Sequence, residues 1–323
     1  MDNHKILYLS KAEVESLNVS MPEIIDALET AFREHGEKRV EMPPKPGVHT
    51  KPDAFIHAMP AYIPALKSAG VKWVSGYPEN QKIGLPYITG LLILNDTETG
   101  MPLSVMDCTW ITAKRTGAAT ALAAKYLARP ESESVGILGC GVQGHSNLEA
   151  LKVLFPLKKV VAYDKSGQMI EKFSAYVNSL GLECVVAKEP REAVEGLDLI
   201  VTAGPILRTP HATIQKDWMK EGAFASLVDF DSYWAPEAMA QCSKFCTDDI
   251  PQLEHYRNIG YFQKIPPIYA ALGELVAGQK PGRQNATERT IACNLGLALD
   301  DMATAPIVYK RAVEKSVGTW LNT

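Results

Sequence analysis

The sequence has few of the features that mark membrane-bound or nucleic-acid-binding proteins. Its 323 residues contain no apolar run long enough to cross a bilayer as a helix, so no membrane span is expected. Lys and Arg total 33 against 37 Asp and Glu, a formal net charge of −4, and neither sign gathers into a long block. A binding surface for nucleic acid is therefore not expected. The amino-terminal segment also lacks the apolar core of a secretory signal, which favours a cytoplasmic protein.

Cysteine is sparse and shows no framework spacing. The six cysteines are scattered along the chain, which predicts reduced thiols rather than a disulfide scaffold. Cys242 and Cys246 lie four residues apart, but no second Cys/His pair follows them. We interpret them as small apolar side chains, and no metal site is predicted.

The composition is typical of a folded globular protein. Hydrophobic residues make up 46% and charged residues 22%, values that argue against a disordered chain or a coiled coil. The length is roughly twice that of a usual single domain. Two domains with sizeable apolar cores are therefore expected.

The first hundred residues predict a mixed α and β unit. Ser20 and Glu23 have the spacing of a capping box, and apolar residues follow at helical spacing until Gly36 ends the helix. Short apolar runs then predict antiparallel strands at 55–60, 70–75, 88–94 and 103–107. Small helix formers predict a connecting helix over residues 112–128.

Beyond residue 133 the pattern alternates between strand and helix. Strands are predicted at 134–138, 159–163, 183–187 and 197–202, and helices at 145–155, 169–180 and 190–194. This order is typical of a parallel sheet with helices on both faces. The last block, residues 290–321, is predicted to be helical and to pack back against the first unit.

Glycines directly follow the strand at 134–138. Gly139, Gly141 and Gly144 form a G-x-G-x-x-G pattern that opens the next helix, and Asp164 follows Gly144 by twenty residues. Such glycines allow a tight turn, close approach of a pyrophosphate and close packing of helix on strand. The carboxylate of Asp164 would accept hydrogen bonds from a ribose 2′-hydroxyl and repel a 2′-phosphate, which favours NAD(H) over NADP(H). The predicted cofactor site also includes Val142 and Gln143.

Several short motifs occur along the chain in one order. They include Pro60-Ala61-Tyr62, Gly70-Val71-Lys72, Gly84-Leu85-Pro86, Arg115-Thr116-Gly117-Ala118, Gly139-Cys140-Gly141-Val142-Gln143, Gly273-Glu274, Pro281-Gly282-Arg283 and Gly296-Leu297-Ala298. With them the chain resembles the ornithine cyclodeaminase and μ-crystallin family, which includes archaeal-type alanine dehydrogenases and several imine reductases.

The resemblance implies an α/β fold. A Rossmann-type dinucleotide-binding domain, here residues 116–304, is inserted into a mixed α/β substrate-binding and dimerisation domain, here residues 1–115 and 305–323. The protein is then expected to be a homodimer.

The resemblance also implies roles for charged residues. Lys72 and Arg115 look like the pair that holds the α-carboxylate of an amino acid, and two cations fixed at strand and helix termini suit a planar anion. Arg115 is further expected to touch the pyrophosphate. Asp231 stands where the family carries a carboxylate that moves protons between substrate nitrogen and water. Lys72 and Asp231 are thus the predicted catalytic residues, and Asp229 stays open as the alternative carboxylate.

Two substrate-side positions depart from the family pattern. Lys45 replaces an Arg that binds the substrate carboxylate, which keeps the charge but loses the bidentate fork. His57 replaces a Glu that binds the distal amine of ornithine, and a histidine does not attract an ammonium group.

Cofactor-side positions depart from the pattern as well. Asp229 stands where the family usually has Gly, and the Pro-Gly-Lys that normally follows the catalytic carboxylate is Tyr233-Trp234-Ala235. Asn294 replaces a small hydroxyl residue near the expected nicotinamide and preserves hydrogen bonding. Cofactor contacts are also expected from Tyr87 and Thr202.

The chemistry that the resemblance implies is hydride transfer between C4 of nicotinamide and the α-carbon of an amino or imino acid. Because of His57, the prediction is an NAD(H)-dependent imine reductase or amino-acid dehydrogenase for a small or acidic side chain, such as alanine or iminosuccinate. Ornithine cyclodeaminase, which converts ornithine to proline and ammonia, is the alternative within the family. A non-catalytic, cofactor-dependent binding protein like μ-crystallin is the alternative from another class.

Overall fold

The computed structural model describes residues 4–51 and 54–322. Residues 1–3, 52, 53 and 323, which the predicted domain ranges include, lie outside the described part. The strands are β1 (Lys5–Leu9), β2 (Gly47–Val48), β3 (Phe55–Ile63), β4 (Ser68–Gly76), β5 (Ile88–Asn95), β6 (Pro102–Asp107), β7 (Ser134–Leu138), β8 (Lys159–Tyr163), β9 (Glu183–Val186), β10 (Leu199–Thr202), β11 (Phe224–Leu227), β12 (Lys244–Thr247), β13 (Ile268–Ala271), β14 (Thr290–Cys293) and β15 (Thr319–Asn322).

The helices follow the same chain order. They are α1 (Lys11–Ser16), α2 (Met21–Gly36), α3 (Thr109–Leu127), α4 (Val142–Leu154), α5 (Gly167–Ser179), α6 (Pro236–Met239), α7 (Ile250–Asn258), α8 (Leu272–Val276) and α9 (Ala298–Lys315). Short 3₁₀ turns cover Pro64–Leu66, Pro78–Ile83 and Pro190–Ala193.

The chain divides into two compact units. Unit 1 comprises Met1–Arg115 with Leu297–Thr323, and unit 2 comprises Thr116–Gly296. The first boundary falls where the sequence predicts it, whereas the second lies after Gly296 instead of after residue 304. The reason is that α9 is one continuous helix that packs along its length on α2, β3 and β4 of unit 1.

Unit 1 contains, within the described residues, a seven-stranded sheet in the order β15-β1-β6-β5-β4-β3-β2. The hairpins β3–β4, β4–β5 and β5–β6 are antiparallel as predicted, and β1 pairs with β6 in parallel. Side chains alternate between the two faces, so Lys72 and Val74 of β4 are buried while Trp73 is 50% exposed. The helices α2 and α9 contact each other, and α9 also contacts β3, β4 and β5.

Unit 2 contains, over its described residues, an eight-stranded parallel sheet in the order β13-β12-β14-β11-β10-β7-β8-β9. The chain runs from β7 outward to β9, then returns so that β10 pairs with the other side of β7. This reversal is the topological switch point at which doubly wound sheets bind dinucleotides beyond the carboxyl ends of their strands. The predicted Rossmann-type fold is confirmed.

The helical prediction for residues 290–321 is wrong at both ends. Residues 290–293 form the central strand β14 and residues 319–322 form the edge strand β15, so only α9 between them is helical. All four residues of β14 are buried because the parallel sheet is covered on both faces. Such a run lacks the alternation that identifies a half-exposed strand.

Candidate active site

The three glycines of the G-x-G-x-x-G pattern lie between the end of β7 and the first turn of α4. Gly139 has a φ of +105°, and a Cβ there would lie 2.5 Å from the Ala203 carbonyl oxygen. A Cβ on Gly144 would lie 2.4 Å from the Gly139 carbonyl oxygen, so a side chain would push α4 away from the turn. Around Gly141, by contrast, the described residues place no atom within 4 Å of a Cβ position. Gly141 therefore leaves an open cradle at the start of α4, which fits a pyrophosphate.

Asp164, at the end of β8, supports the glycine turn. Its Oδ2 accepts a hydrogen bond from the Cys140 N–H at 2.8 Å, and its Oδ1 accepts one from the Ser166 N–H at 2.8 Å. A carboxylate has about four acceptor positions, so two contacts leave capacity for a ribose hydroxyl. Of the adjacent turn residues, Val142 is 68% exposed and Gln143 is half-buried.

Asp229 lies beyond β11, close to the end of β10. Its Oδ1 accepts a hydrogen bond from the Thr202 hydroxyl at 2.6 Å, and its Oδ2 accepts one from the Gly204 N–H at 2.8 Å. The Thr202 hydroxyl in turn accepts a hydrogen bond from the Trp234 indole N–H at 3.3 Å. Burial raises the pKa of Asp229 to about 7.

Asp231 lies two residues further along and is also buried. Its Oδ1 has no hydrogen-bond partner within the described ranges, and the Phe262 backbone donates to its carboxyl group. Burial raises the pKa of Asp231 above its usual value. Phe230 and Phe262 both have left-handed φ angles, +62° and +54°, so strained backbone flanks this carboxyl group. A protonatable side chain with an unused acceptor is what proton transfer requires.

Asn294 follows β14, the neighbour of β11 in the sheet. The side chain is 3% exposed, and within the described part of the chain neither its amide nitrogen nor its amide oxygen has a hydrogen-bond partner. A buried primary amide with both donor and acceptor unused matches the carboxamide of a nicotinamide.

Lys72 and Arg115 of unit 1 are held by two carboxylates of α9. The Lys72 ammonium lies 2.7 Å from Asp301 Oδ2, and the Arg115 Nε lies 3.2 Å from Asp301 Oδ1. The Arg115 Nη1 also lies 3.1 Å from Asp300 Oδ2. Both cations lie in the interior of their elements, β4 and α3, rather than at the termini that the sequence interpretation expected.

Burial controls the charges of this network. It lowers the pKa of Lys72 to about 8, and the nearby Arg115 acts in the same direction. Burial also raises the pKa of Asp300 to about 6, against the opposing effect of Arg115. Two cations and two carboxylates balance each other, which makes their burial tolerable.

His57 lies on the same face of the unit 1 sheet as Lys72. Lys72 pairs with Met59 across β3–β4 and His57 pairs with Val74, so the two side chains are diagonal neighbours. The His57 ring is half-buried and stacks on Phe55, with ring centroids 4.3 Å apart.

Two further predicted residues lie near this sheet. Lys45 is half-buried and directly precedes Pro46, whose carbonyl accepts a hydrogen bond from the Ala58 N–H of β3. Tyr87 is half-buried and immediately precedes β5.

Asp300 and Asp301 are the site residues that the sequence interpretation missed. Two adjacent carboxylates in the first turn of a helix suggest ordinary stabilisation of the helix dipole. The available signal was their position in the otherwise small and apolar stretch 295–305, where both residues prove fully buried.

Neither a metal centre nor a membrane-spanning helix is found among the described residues. Within residues 4–51 and 54–322, no group of three or more His, Cys, Asp or Glu side chains could hold a metal ion. No helix in those ranges is long and apolar enough to span a bilayer.

A two-unit fold with a glycine turn at the switch point of a parallel sheet defines a dinucleotide-binding protein of the dehydrogenase type. The model of the ornithine cyclodeaminase/mu-crystallin family matches residues 4–316, so the chain belongs to this family. The family assignment made from the sequence is confirmed.

Similar proteins cover almost the whole chain. Alanine dehydrogenase of Archaeoglobus fulgidus is 38% identical over 321 residues, which are 97% of each chain. The structure of an archaeal alanine dehydrogenase dimer with bound NAD superposes with a TM-score of 0.88 at 35% identity, covering 99% of each chain. Δ1-pyrroline-2-carboxylate reductase of Thermococcus litoralis, in complex with NADH and L-proline, has a TM-score of 0.88 at 34% identity and covers 97% of this chain and 99% of its own.

Proposed function

We propose that the protein is an NAD(H)-dependent oxidoreductase that transfers hydride between nicotinamide and the α-carbon of a small amino or imino acid. The observation that carries this proposal is the buried pair Lys72 and Arg115, held in place by Asp300 and Asp301. Fixed cations can bind and orient the carboxylate that every such substrate carries. The relatives named above support the same class of reaction.

The residues of unit 2 fit NAD(H). Gly139, Gly141 and the start of α4 would hold the pyrophosphate, Asp164 the adenosine ribose, and Asn294 the carboxamide. The cofactor would supply the hydride acceptor and donor. Asp231 would deliver or remove the proton at the substrate nitrogen, since its Oδ1 is unused.

The substrate side chain is small and uncharged in this proposal, as in alanine or a cyclic imino acid. His57 stands on the Lys72 face where a carboxylate would be needed to attract a distal ammonium group. The 38% identity with an alanine dehydrogenase supports alanine and pyruvate as the first pair to test. An acidic imino acid such as iminosuccinate stays a candidate because Lys45 adds a further cation.

The test is a panel assay that follows NADH absorbance. We expect NADH oxidation with pyruvate plus ammonia or with Δ1-pyrroline-2-carboxylate, and little proline formation from ornithine. The variant His57→Glu should shift the preference towards ornithine by about tenfold, because the buried ammonium group then gains a partner. Efficient proline formation by the unmodified protein, without NADH oxidation on the other substrates, would establish cyclodeamination instead. NADH binding with no turnover on any substrate would favour the non-catalytic binding protein.

A second copy of the chain is the proposed partner. Tyr8, Tyr62, Trp73, Leu91 and Leu321 project from the face of the unit 1 sheet opposite Lys72, and each is more than a third exposed. A cluster of exposed apolar side chains on one sheet face is typical of an interface. The archaeal alanine dehydrogenase structure is itself a dimer, which supports a homodimer here. A cytoplasmic location also stays part of the proposal, supported by the six free cysteines.

A further inference from the structure

The segment that follows β10 is held from one side by the loop that follows β11. Asp229 binds the Thr202 hydroxyl and the Gly204 N–H, and a Cβ on Gly204 would lie 2.6 Å from the Tyr233 ring. Further along, Ser232 Oγ accepts a hydrogen bond from the Leu207 N–H at 2.8 Å. The loop at residues 229–233 therefore sets the path of the chain from residue 202 onward.

The other side of the same segment contacts the glycine turn. The Ala203 N–H donates to the Leu138 carbonyl oxygen at 2.8 Å, and the Ala203 carbonyl oxygen occupies the space that a Cβ on Gly139 would need. Residues 202–204 thus lie at the switch point between β7 and β10, where a dinucleotide binds in this class of sheet.

We propose that Asp229 is a positioning residue for the cofactor: its carboxylate fixes residues 202–204 against the glycine turn and thereby sets the affinity for NAD(H). This inference rests on the proposed function, since it takes NAD(H) as the cofactor. Asp229 departs from the pattern of the family that the sequence resembles, which usually has Gly there and so has no side chain to hold the segment.

The hydrogen bonds require the charged form of Asp229. Both carboxylate oxygens accept, and the Thr202 hydroxyl already accepts from Trp234, so its own proton points to Asp229. A proton on Oδ2 would face the Gly204 N–H, and a proton on Oδ1 would force the Thr202 hydroxyl to find another acceptor. Protonation therefore removes one of the two hydrogen bonds with which Asp229 holds residues 202–204.

Protonation of Asp229 falls in an accessible pH range, because burial raises its pKa to about 7. The titratable groups that act on Asp229 or feel its charge within the described residues are Asp231, the Tyr233 hydroxyl and the Cys293 thiol. Burial raises the pKa of Tyr233 to about 12 and that of Cys293 well above its usual value, so both stay neutral near pH 7. Asp231 is the remaining group of this set that can titrate. A substitution of Asp231 must therefore show which of the two carboxyl groups causes the pH dependence.

The experiment is fluorescence titration of NADH binding to the full-length protein without substrate, at about pH 6 and about pH 8.5. We expect binding about fivefold weaker at the lower pH, the effect of one lost hydrogen bond. Asp229→Asn should bind equally at both pH values, and about as weakly as the unmodified protein does at about pH 6, because it does not titrate and its amide nitrogen, like a protonated Oδ1, cannot accept from the Thr202 hydroxyl. Asp229→Leu, which holds neither group, should bind about fivefold or more weakly at both.

Two further variants serve as controls. Asp231→Asn should keep the pH dependence of NADH binding. Asp198→Asn removes a carboxylate that binds the Ser134 N–H and hydroxyl at the start of β7, at the amino ends of the strands of the same sheet. Hydrogen bonds to Lys220 and Ser134, together with other donors, outweigh burial and hold the pKa of Asp198 at about 2, so it does not titrate in this range and its variant should also keep the pH dependence. Thermal unfolding of each cofactor-free variant shows whether it is folded.

Three results would overturn the inference. NADH affinity that does not change with pH in the unmodified protein would do so, and so would an unchanged pH dependence in Asp229→Asn or full affinity in folded Asp229→Leu. In these cases the proposed function would stand, since NADH binds. Failure of the unmodified protein to bind NADH at either pH would overturn both the proposed function and this inference.

Discussion

Lys72 and Asp301 form an ion pair in which 2.7 Å separate nitrogen and oxygen, and neither side chain exposes any surface to solvent. The two residues come from β4 and α9, which are distant in sequence. Because charges buried without a partner are expensive, this pair and the neighbouring Arg115–Asp300 pair constrain each other. The geometry gives the candidate carboxylate site a fixed shape before any substrate arrives.

Replacing Asp301 with Asn should destabilise the protein. The variant leaves Lys72 and Arg115 buried with one carboxylate fewer, and such losses cost about 3–5 kcal/mol. Urea unfolding at neutral pH measures the change in the free energy of unfolding. The matched control is Glu15→Gln, which removes the exposed Lys11–Glu15 pair at 3.8 Å and should change stability by less than about 1 kcal/mol. Equal effects of the two substitutions would contradict the structural role of Asp301.

Binding of a substrate carboxylate should weaken in mildly alkaline solution. Burial lowers the pKa of Lys72 to about 8, so the side chain is charged below that value and loses its positive charge as the pH rises through it. The inhibition constant of a small carboxylate such as propionate, competing with the 2-oxo acid, should then rise by about tenfold. Lys72→Arg keeps a charge that does not titrate. For Lys72→Arg the inhibition constant of the carboxylate should not change as the pH rises. A parallel rise of the inhibition constant in both proteins would assign the effect to another group.

Replacing Asp231 with Asn should separate chemistry from cofactor binding. The amide keeps the shape of the side chain but cannot exchange a proton, so turnover should fall about a hundredfold or more while NADH affinity changes little. Steady-state kinetics and a fluorescence titration measure the two quantities. The opposite pattern, near-normal turnover in Asp231→Asn and none in Asp229→Asn, would assign proton transfer to Asp229.

Asp164 should set the choice between NADH and NADPH. Its carboxylate at the end of β8 repels a 2′-phosphate, so the unmodified protein should prefer NADH and Asp164→Ser should narrow the preference in kcat/KM. The structure adds a second effect, because Asp164 also holds the Cys140 and Ser166 N–H groups. Asp164→Asn removes the charge but keeps the size of the side chain and, through its amide oxygen, one of these two bonds, so its comparison with Asp164→Ser separates the effect of the charge from part of the effect of the hydrogen bonds. Equal efficiency with both cofactors before any mutation would refute the assignment.

Local patterns in the sequence predict much of this fold. The capping box of α2, the four hairpin strands of unit 1 and the glycine turn after β7 depend on neighbours within a few residues, and each lies where it was predicted. The strand β14 was missed because its burial on both faces is a property of the assembled sheet.

In the candidate site, too, some residues can be predicted from local sequence patterns and others depend on the assembled fold. Gly139, Gly141 and Asp164 follow a signature of known spacing, whereas the partners of Lys72 and Arg115 are set by tertiary packing of α9 against β4. Charge pairs that join distant segments have no spacing rule in one sequence. The same holds for the hydrogen bonds of Asp229, whose partners are the last residue of β10, Thr202, and Gly204 in the segment that follows it.

The split of unit 1 between the two ends of the chain has a consequence for biosynthesis. Lys72 and Arg115 leave the ribosome long before Asp300 and Asp301, with the whole of unit 2 synthesised between them. Domains generally fold in the order of their synthesis, but here the earliest segment must wait for the last helix before its cations are neutralised. In nascent chains stalled before α9, we expect unit 2 to resist cleavage by a protease while the segments of unit 1 are still cleaved.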